Sequence, residues 1–171
     1  MSNLLFSPSG RIGPQTFLKG LGIVALINAV IKSITAFNFS LGSVLALVGL
    51  VLLFPLFCLL IKRSHDGGKT GWLSIAWFIL ILILIMIAQY IAQKMTGGAV
   101  LKEMEAVTQA AAASGDIGAV LSIATEYAPK IAQKTAIPAA IAGFVGTMLG
   151  GYLVNMLVKS DPNENKFGPA V

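Results

Sequence analysis

The unbroken apolar stretch Phe78-Ile79-Leu80-Ile81-Leu82-Ile83-Leu84-Ile85-Met86-Ile87 constrains this chain more than any other feature. It lies inside a run from Trp72 to Gln93 that carries no charged side chain. A strand of that length would be far outside the usual range, so the run predicts a helix, apolar on every side. Such a helix has no polar face to turn to water. About 20 residues at 1.5 Å rise cover the roughly 30 Å of bilayer hydrocarbon, so a transmembrane span is expected over 72–93.

Three more runs approach the same length, at about 16–37, 41–61 and 137–158. Composition agrees with them: 56% of the residues are hydrophobic and 11% charged, against about 25% charged in a soluble domain. A chain of 171 residues cannot hide that excess in its own core, because a small domain leaves much of its surface exposed. The excess must face lipid. The expected fold class is all-α: one polytopic membrane domain over 1–171 with four transmembrane helices. The first run follows a polar start carrying Arg11 and is too long for a signal h-region, so it reads as a retained helix. The lone Cys58 rules out an intramolecular disulfide and reads as a packing residue.

Local chemistry refines the spans. The short link Asn38-Phe39-Ser40 predicts an antiparallel hairpin of the first two helices. Pro55 removes a bond to the Val51 carbonyl, so a kink is expected there. Lys32, about five residues from the end of the first span, can snorkel to the interface; a buried functional lysine is the alternative. In the fourth run Ala142, Gly146 and Gly150 recur every fourth residue beside a second row, Ala139, Gly143, Thr147 and Gly151. Together they predict a smooth face for close packing against another helix or a second copy.

Residues 94–136 differ. Lys102, Glu103, Glu105, Asp116, Glu126, Lys130 and Lys134 make this segment too polar for a fifth span. The spacing of Val100, Leu101, Met104 and Val107 is helical, and Asp116 can cap a helix at Ile117. An extramembrane helix-turn-helix hairpin is expected, turning at Ser114-Gly115, disturbed at Pro129, and lying on the bilayer or the bundle.

With four spans, the N-terminus, the Lys62–Gly71 loop and the C-terminus share one side. That side holds seven basic residues, Arg11, Lys19, Lys62, Arg63, Lys69, Lys159 and Lys166, against five on the other. The dense Lys62-Arg63 pair at a span end marks it as cytoplasmic. The net charge of +5 is thereby explained by topology and headgroups, not by nucleic acid.

The loop Lys62-Arg63-Ser64-His65-Asp66-Gly67-Gly68-Lys69-Thr70-Gly71-Trp72 is the richest in chemistry. His65-Asp66 is the one place where acid–base or metal chemistry is conceivable, but a single His and Asp are too few for zinc. A phosphate-binding loop fails on register, since its first glycine would fall at Arg63. Two other polar segments share this side, Phe6 to Gly13 and Asn163 to Pro169. The three can converge into a cluster comprising Arg11, Arg63, His65, Asp66, Lys69, Trp72 and Asn165, whose polar groups hydrogen-bond neighbouring segments or bind phosphate and headgroups. No catalytic set, metal site or cofactor is expected.

These segments resemble the bacterial inner-membrane proteins of domain-of-unknown-function family 805. Phe6 with Gly10-Arg11-Ile12 and Phe17 resembles that family's opening. Pro55, Lys62-Arg63, His65-Asp66, Gly68, Lys69-Thr70 and Gly71-Trp72 resemble its central signature, and Asn165-Lys166-Phe167-Gly168-Pro169 its tail. The chain departs from the pattern at Pro14, Leu18 and Ser64. The resemblance implies a four-helix inner-membrane protein, makes residues 94–136 look like an insertion, and supplies no activity or cofactor; the charge asymmetry places both termini in the cytoplasm. The expected role is a non-enzymatic accessory or interaction component contacting anionic headgroups or another membrane protein, with homo-oligomerisation open. A small transporter or channel subunit acting as an oligomer is the alternative, although no Asp or Glu lies within the four spans. A membrane enzyme using His65 and Asp66 is a third reading.

Overall fold

The computed structural model describes residues 2–171, and among them every regular element is a helix. A short α1 (Ser2–Phe6) precedes α2 (Pro14–Ile34). Pro14 opens α2 at a position whose amide has no helical acceptor in any case. The chain turns through Thr35–Asn38, and Asn38 caps α3 (Phe39–Val51) by accepting from the Leu41 amide at 2.9 Å. Then come α4 (Leu53–Asp66), α5 (Leu73–Ala113) and α6 (Ile117–Leu157). Four segments are long and apolar enough to cross a membrane: α2, α3–α4 together, α5 and α6. Their exposed residues fit lipid better than water: Leu47, Val51, Ile83, Ile87 and Val145 all lie on the outside.

Pro55 acts one turn earlier than its own position. The helix is interrupted at Leu52, and Pro55 becomes the third residue of α4. There a proline gives up no amide that the helix needs. The second span is thus two helices meeting at a break.

Two expectations are corrected. The segment 62–71 is not a loop throughout, because α4 continues to Asp66 and carries Lys62, Arg63, Ser64 and His65 on its last turns. Ser64 Oγ donates back to the Leu60 carbonyl at 2.9 Å, and the charged groups find partners in other segments, so no polar group forces the helix to end earlier. Residues 94–136 do form a helix-turn-helix hairpin with its turn at the expected Ser114–Gly115, but not a separate one laid on the bilayer or the bundle. They are the outer halves of α5 and α6, each 41 residues long. Nothing near Lys94 breaks α5, and α6 runs unbroken through Pro129 and Pro138. Thr125, whose carbonyl Pro129 leaves free, is exposed and can be hydrated. The turn falls at Ser114–Asp116, with Gly115 at φ +73° and Asp116 capping α6 through the Ala119 amide at 2.8 Å. Tyr127 binds Glu103 across the arm at 2.8 Å.

The small residues of α6 make it the central helix. A Cβ at Gly146 would lie 2.9 Å from the Ile85 Cα, and one at Gly150 would lie 3.1 Å from the Ile81 Cα. This row therefore seats α5 backbone to backbone, with Ala142 half-buried above it. On the neighbouring row Gly151 receives the Leu21 side chain of α2. The buried core, with Ile12, Phe17, Leu21, Leu59, Leu60, Ile81, Val154 and Val158, gathers in the half of the bundle nearest the termini.

Candidate functional site

The core ends against a buried polar knot beneath it. Asp66, on the last turn of α4, is its hub and is fully buried. One carboxylate oxygen accepts from Arg11, with Nη2 at 3.1 Å and Nε at 3.3 Å. The other accepts from Arg63 Nη1 and from Ser160 Oγ at 2.6 Å. Two arginines around one carboxylate leave a surplus positive charge out of water, which is costly unless dipoles balance it.

Backbone carbonyls supply that balance. Arg63 Nη2 donates to the carbonyl of Val158, where α6 ends and its negative dipole end lies. Its Nε donates to Asn155 Oδ1 at 2.7 Å and its Nη1 also reaches Ser160 Oγ at 3.1 Å. Arg11 donates to the carbonyls of Asn163 at 2.7 Å, Gly168 at 3.3 Å, Asp66 and Asp161. A planar fork with five N–H groups is the side chain that can serve so many acceptors at once.

The tail is folded onto this knot. Asn165 and Gly168 exchange two backbone bonds, a tight turn made possible by Gly168 at φ +132°. Asn165 Nδ2 donates to the His65 carbonyl at 3.2 Å. The turn presents Phe167 flat against the His65 ring, with centroids 3.7 Å apart and planes within 5°. His65 Nδ1 lies 3.1 Å from the Gly10 carbonyl; a carbonyl only accepts, so Nδ1 carries the proton. Lys62 joins the N-terminus to the same helix end by donating to the carbonyls of Asn3 and Leu4, the latter at 3.0 Å.

Of the residues singled out in the sequence, the structure brings together Arg11, Arg63, His65, Asp66 and Asn165. It leaves Lys69 and Trp72 outside the knot, with Trp72 82% exposed. Sequence reasoning missed Asn155, Ser160 and Asp161. Asn155 alone carried a signal, as a polar residue near the end of an apolar run. The arrangement ties three remote segments to one carboxylate and leaves neither oxygen free to take a proton from a substrate. Among the described residues no group of three or more His, Cys, Asp or Glu side chains is placed to hold a metal.

A shallow recess lies beside the knot, lined by Gly67, Lys69, Trp77 and Lys159 together with Leu73 and Leu157. The indole N–H of Trp77 is buried and has no acceptor among the described residues.

Searches of curated proteins and of solved structures returned no significant match. A family model described as "Protein of unknown function (DUF805)" matches residues 5–169, nearly the whole chain, and the protein belongs to that family.

Proposed function

We propose that this chain is a non-enzymatic, multi-pass protein of the bacterial inner membrane. It is an accessory component whose cytoplasmic face, the one bearing both termini, engages anionic lipid headgroups. The observation that carries this reading is the recess beside the knot. Two lysines, Lys69 and Lys159, line it together with the Trp77 side chain, and no carboxylate does. Basic residues with an adjacent indole suit the phosphate level of a bilayer.

The knot supports this face and does not itself bind. Arg11, Arg63 and Asp66 are buried and fully engaged within the chain, so headgroup contact falls to the lysines around them. The same engagement of Asp66, and the hold of Gly10 and Phe167 on His65, support a role without catalysis.

The test uses the purified full chain, immobilised in mild detergent, with mixed micelles of phosphatidylglycerol or phosphatidylcholine. Phosphatidylglycerol capture should exceed phosphatidylcholine capture at low salt. It should fall several-fold in the Lys69→Ala/Lys159→Ala variant and converge on the variant's level at high salt. Capture indifferent to salt and to both substitutions would remove the reading.

A further inference from the structure

The opposite end of the bundle is built differently. Beyond the α2–α3 turn, α3 packs on α2 and only lightly on α6. A groove of about 280 Å³ therefore opens between α2–α3 and α5–α6. Two helical stripes face into it. On α2, Val24, Asn28 and Lys32 follow one another at one-turn spacing; on α5, Ile81, Ile85 and Gln89 do the same. Both stripes are apolar at depth and polar at the mouth. Lys32 lies two residues before the end of α2, and Val24 about 12 Å further in, most of the depth of one leaflet.

The mouth is unsatisfied. Lys32, Asn28 and Gln89 make no side-chain hydrogen bond to any described residue, and Lys32 has no ion-pair partner among them. The four sequence runs 16–37, 41–61, 72–93 and 137–158 contain no Asp or Glu. The exposed ammonium of Lys32, two residues from the end of α2, sits where the headgroups of a bilayer would lie. With no carboxylate in the spans to pair with it, it is free to attract a lipid phosphate. The amides are free to share it. The place of a Cβ on Gly49 is faced by Asn28 Oδ1 at 3.3 Å, and that on Gly143 by Gln89 Nε2 at 2.7 Å, so both glycines leave room for the amides.

The geometry points to a binding groove for an anionic phospholipid of the leaflet on the α2–α3 turn side. Its phosphate meets Lys32, with Asn28 and Gln89 beside it, and one acyl chain follows Val24, Leu56 and Ile81 inward. Charge complementarity selects the headgroup, and the apolar depth of both stripes selects a chain. The groove opens sideways among the spans, so the second chain stays in the bilayer. That favours a phospholipid over a free fatty acid. This site is separate from the lysines of the termini face, and it rests on the membrane placement proposed above.

Native mass spectrometry of the full chain tests it, in the Lys69→Ala/Lys159→Ala background so that the other face does not contribute. The protein is extracted in mild detergent and offered phosphatidylglycerol, phosphatidylcholine or oleate. One phosphatidylglycerol should be retained in preference to phosphatidylcholine. Lys32→Gln should lower its occupancy about fivefold, the order expected for one lysine at a phosphate. Ala46→Phe, which fills the groove from α3, should exclude it, with the unfolding temperature in lipid-free detergent unchanged for either variant. Equal retention of phosphatidylglycerol and phosphatidylcholine, retention unaffected by Lys32→Gln, or retention of oleate alone would each overturn the proposal. A chain monodisperse in plain buffer would instead sink the membrane placement, and that readout is independent of lipid retention.

Discussion

At the scale of single residues, Asp66 carries the largest energetic consequence. Among the described residues it is the one carboxylate that forms ion pairs with the two buried guanidinium groups. Breaking a buried ion pair from one side typically costs about 3–5 kcal/mol, because the remaining charge is left uncompensated. Asp66→Asn should therefore lower stability by about that much in detergent, measured by thermal or denaturant unfolding, while the exposed Lys69→Ala should change it by less than about 0.5 kcal/mol. An Asp66→Asn protein as stable as the parent would mean the knot is not holding the fold. Arg63→Lys should recover little of what Arg63→Ala loses, since an ammonium cannot reach Asn155, Asp66, Ser160 and the Val158 carbonyl together. Much of this site was legible as composition. Arg11, Arg63, His65, Asp66 and Asn165 stand out because charged and amide groups are scarce in so apolar a chain. Their wiring was not legible, because most acceptors are backbone carbonyls from segments about 100 to 150 residues away, and a carbonyl has no letter in the sequence.

At the scale of helices, α6 is defined by what its glycines allow. Filling the Gly146 position puts a side chain against the α5 backbone itself, which cannot yield as a flexible side chain can. Gly146→Leu should separate α5 from α6 and cost at least about 2 kcal/mol as an overpacked interface. Gly98, in the outer half of α5, has nothing within 4 Å of its added Cβ. Gly98→Ala should be neutral or stabilise by up to about 1 kcal/mol through helix propensity alone. If both substitutions behaved alike, close backbone approach would not be what holds this pair. The contrast shows where periodicity informs and where it stops. The four-residue repeat of small side chains in α6 announced a packing face, and the structure supplies α5 and α2 as its partners. The ends of the helices were less legible. Polar side chains at 62–66 and 94–136 suggested that the helices stop at the membrane surface, whereas a helix stops only where its backbone loses partners.

At the scale of the molecule, length sets the shape. A bilayer uses about 30 Å of a helix, and α5 and α6, at 41 residues each, run for about 60 Å. In the proposed membrane placement, with the polar knot and both termini at one surface, the surplus of both helices projects from the other. The Ser114–Asp116 turn then stands about 30 Å clear of the hydrocarbon. The sole cysteine, Cys58, is buried, so single-cysteine variants can be read against a quiet background. In intact cells a membrane-impermeant maleimide should label Ser114→Cys readily and leave Ser9→Cys, Thr70→Cys and Asn163→Cys unlabelled until the membrane is opened. Labelling of all four from outside would deny that the bundle crosses the bilayer. Labelling of Asn163→Cys but not Ser114→Cys would turn the molecule over, placing the arm in the cytoplasm and the knot outside. In that case the lysines around the knot would no longer follow the charge asymmetry from which the orientation was drawn.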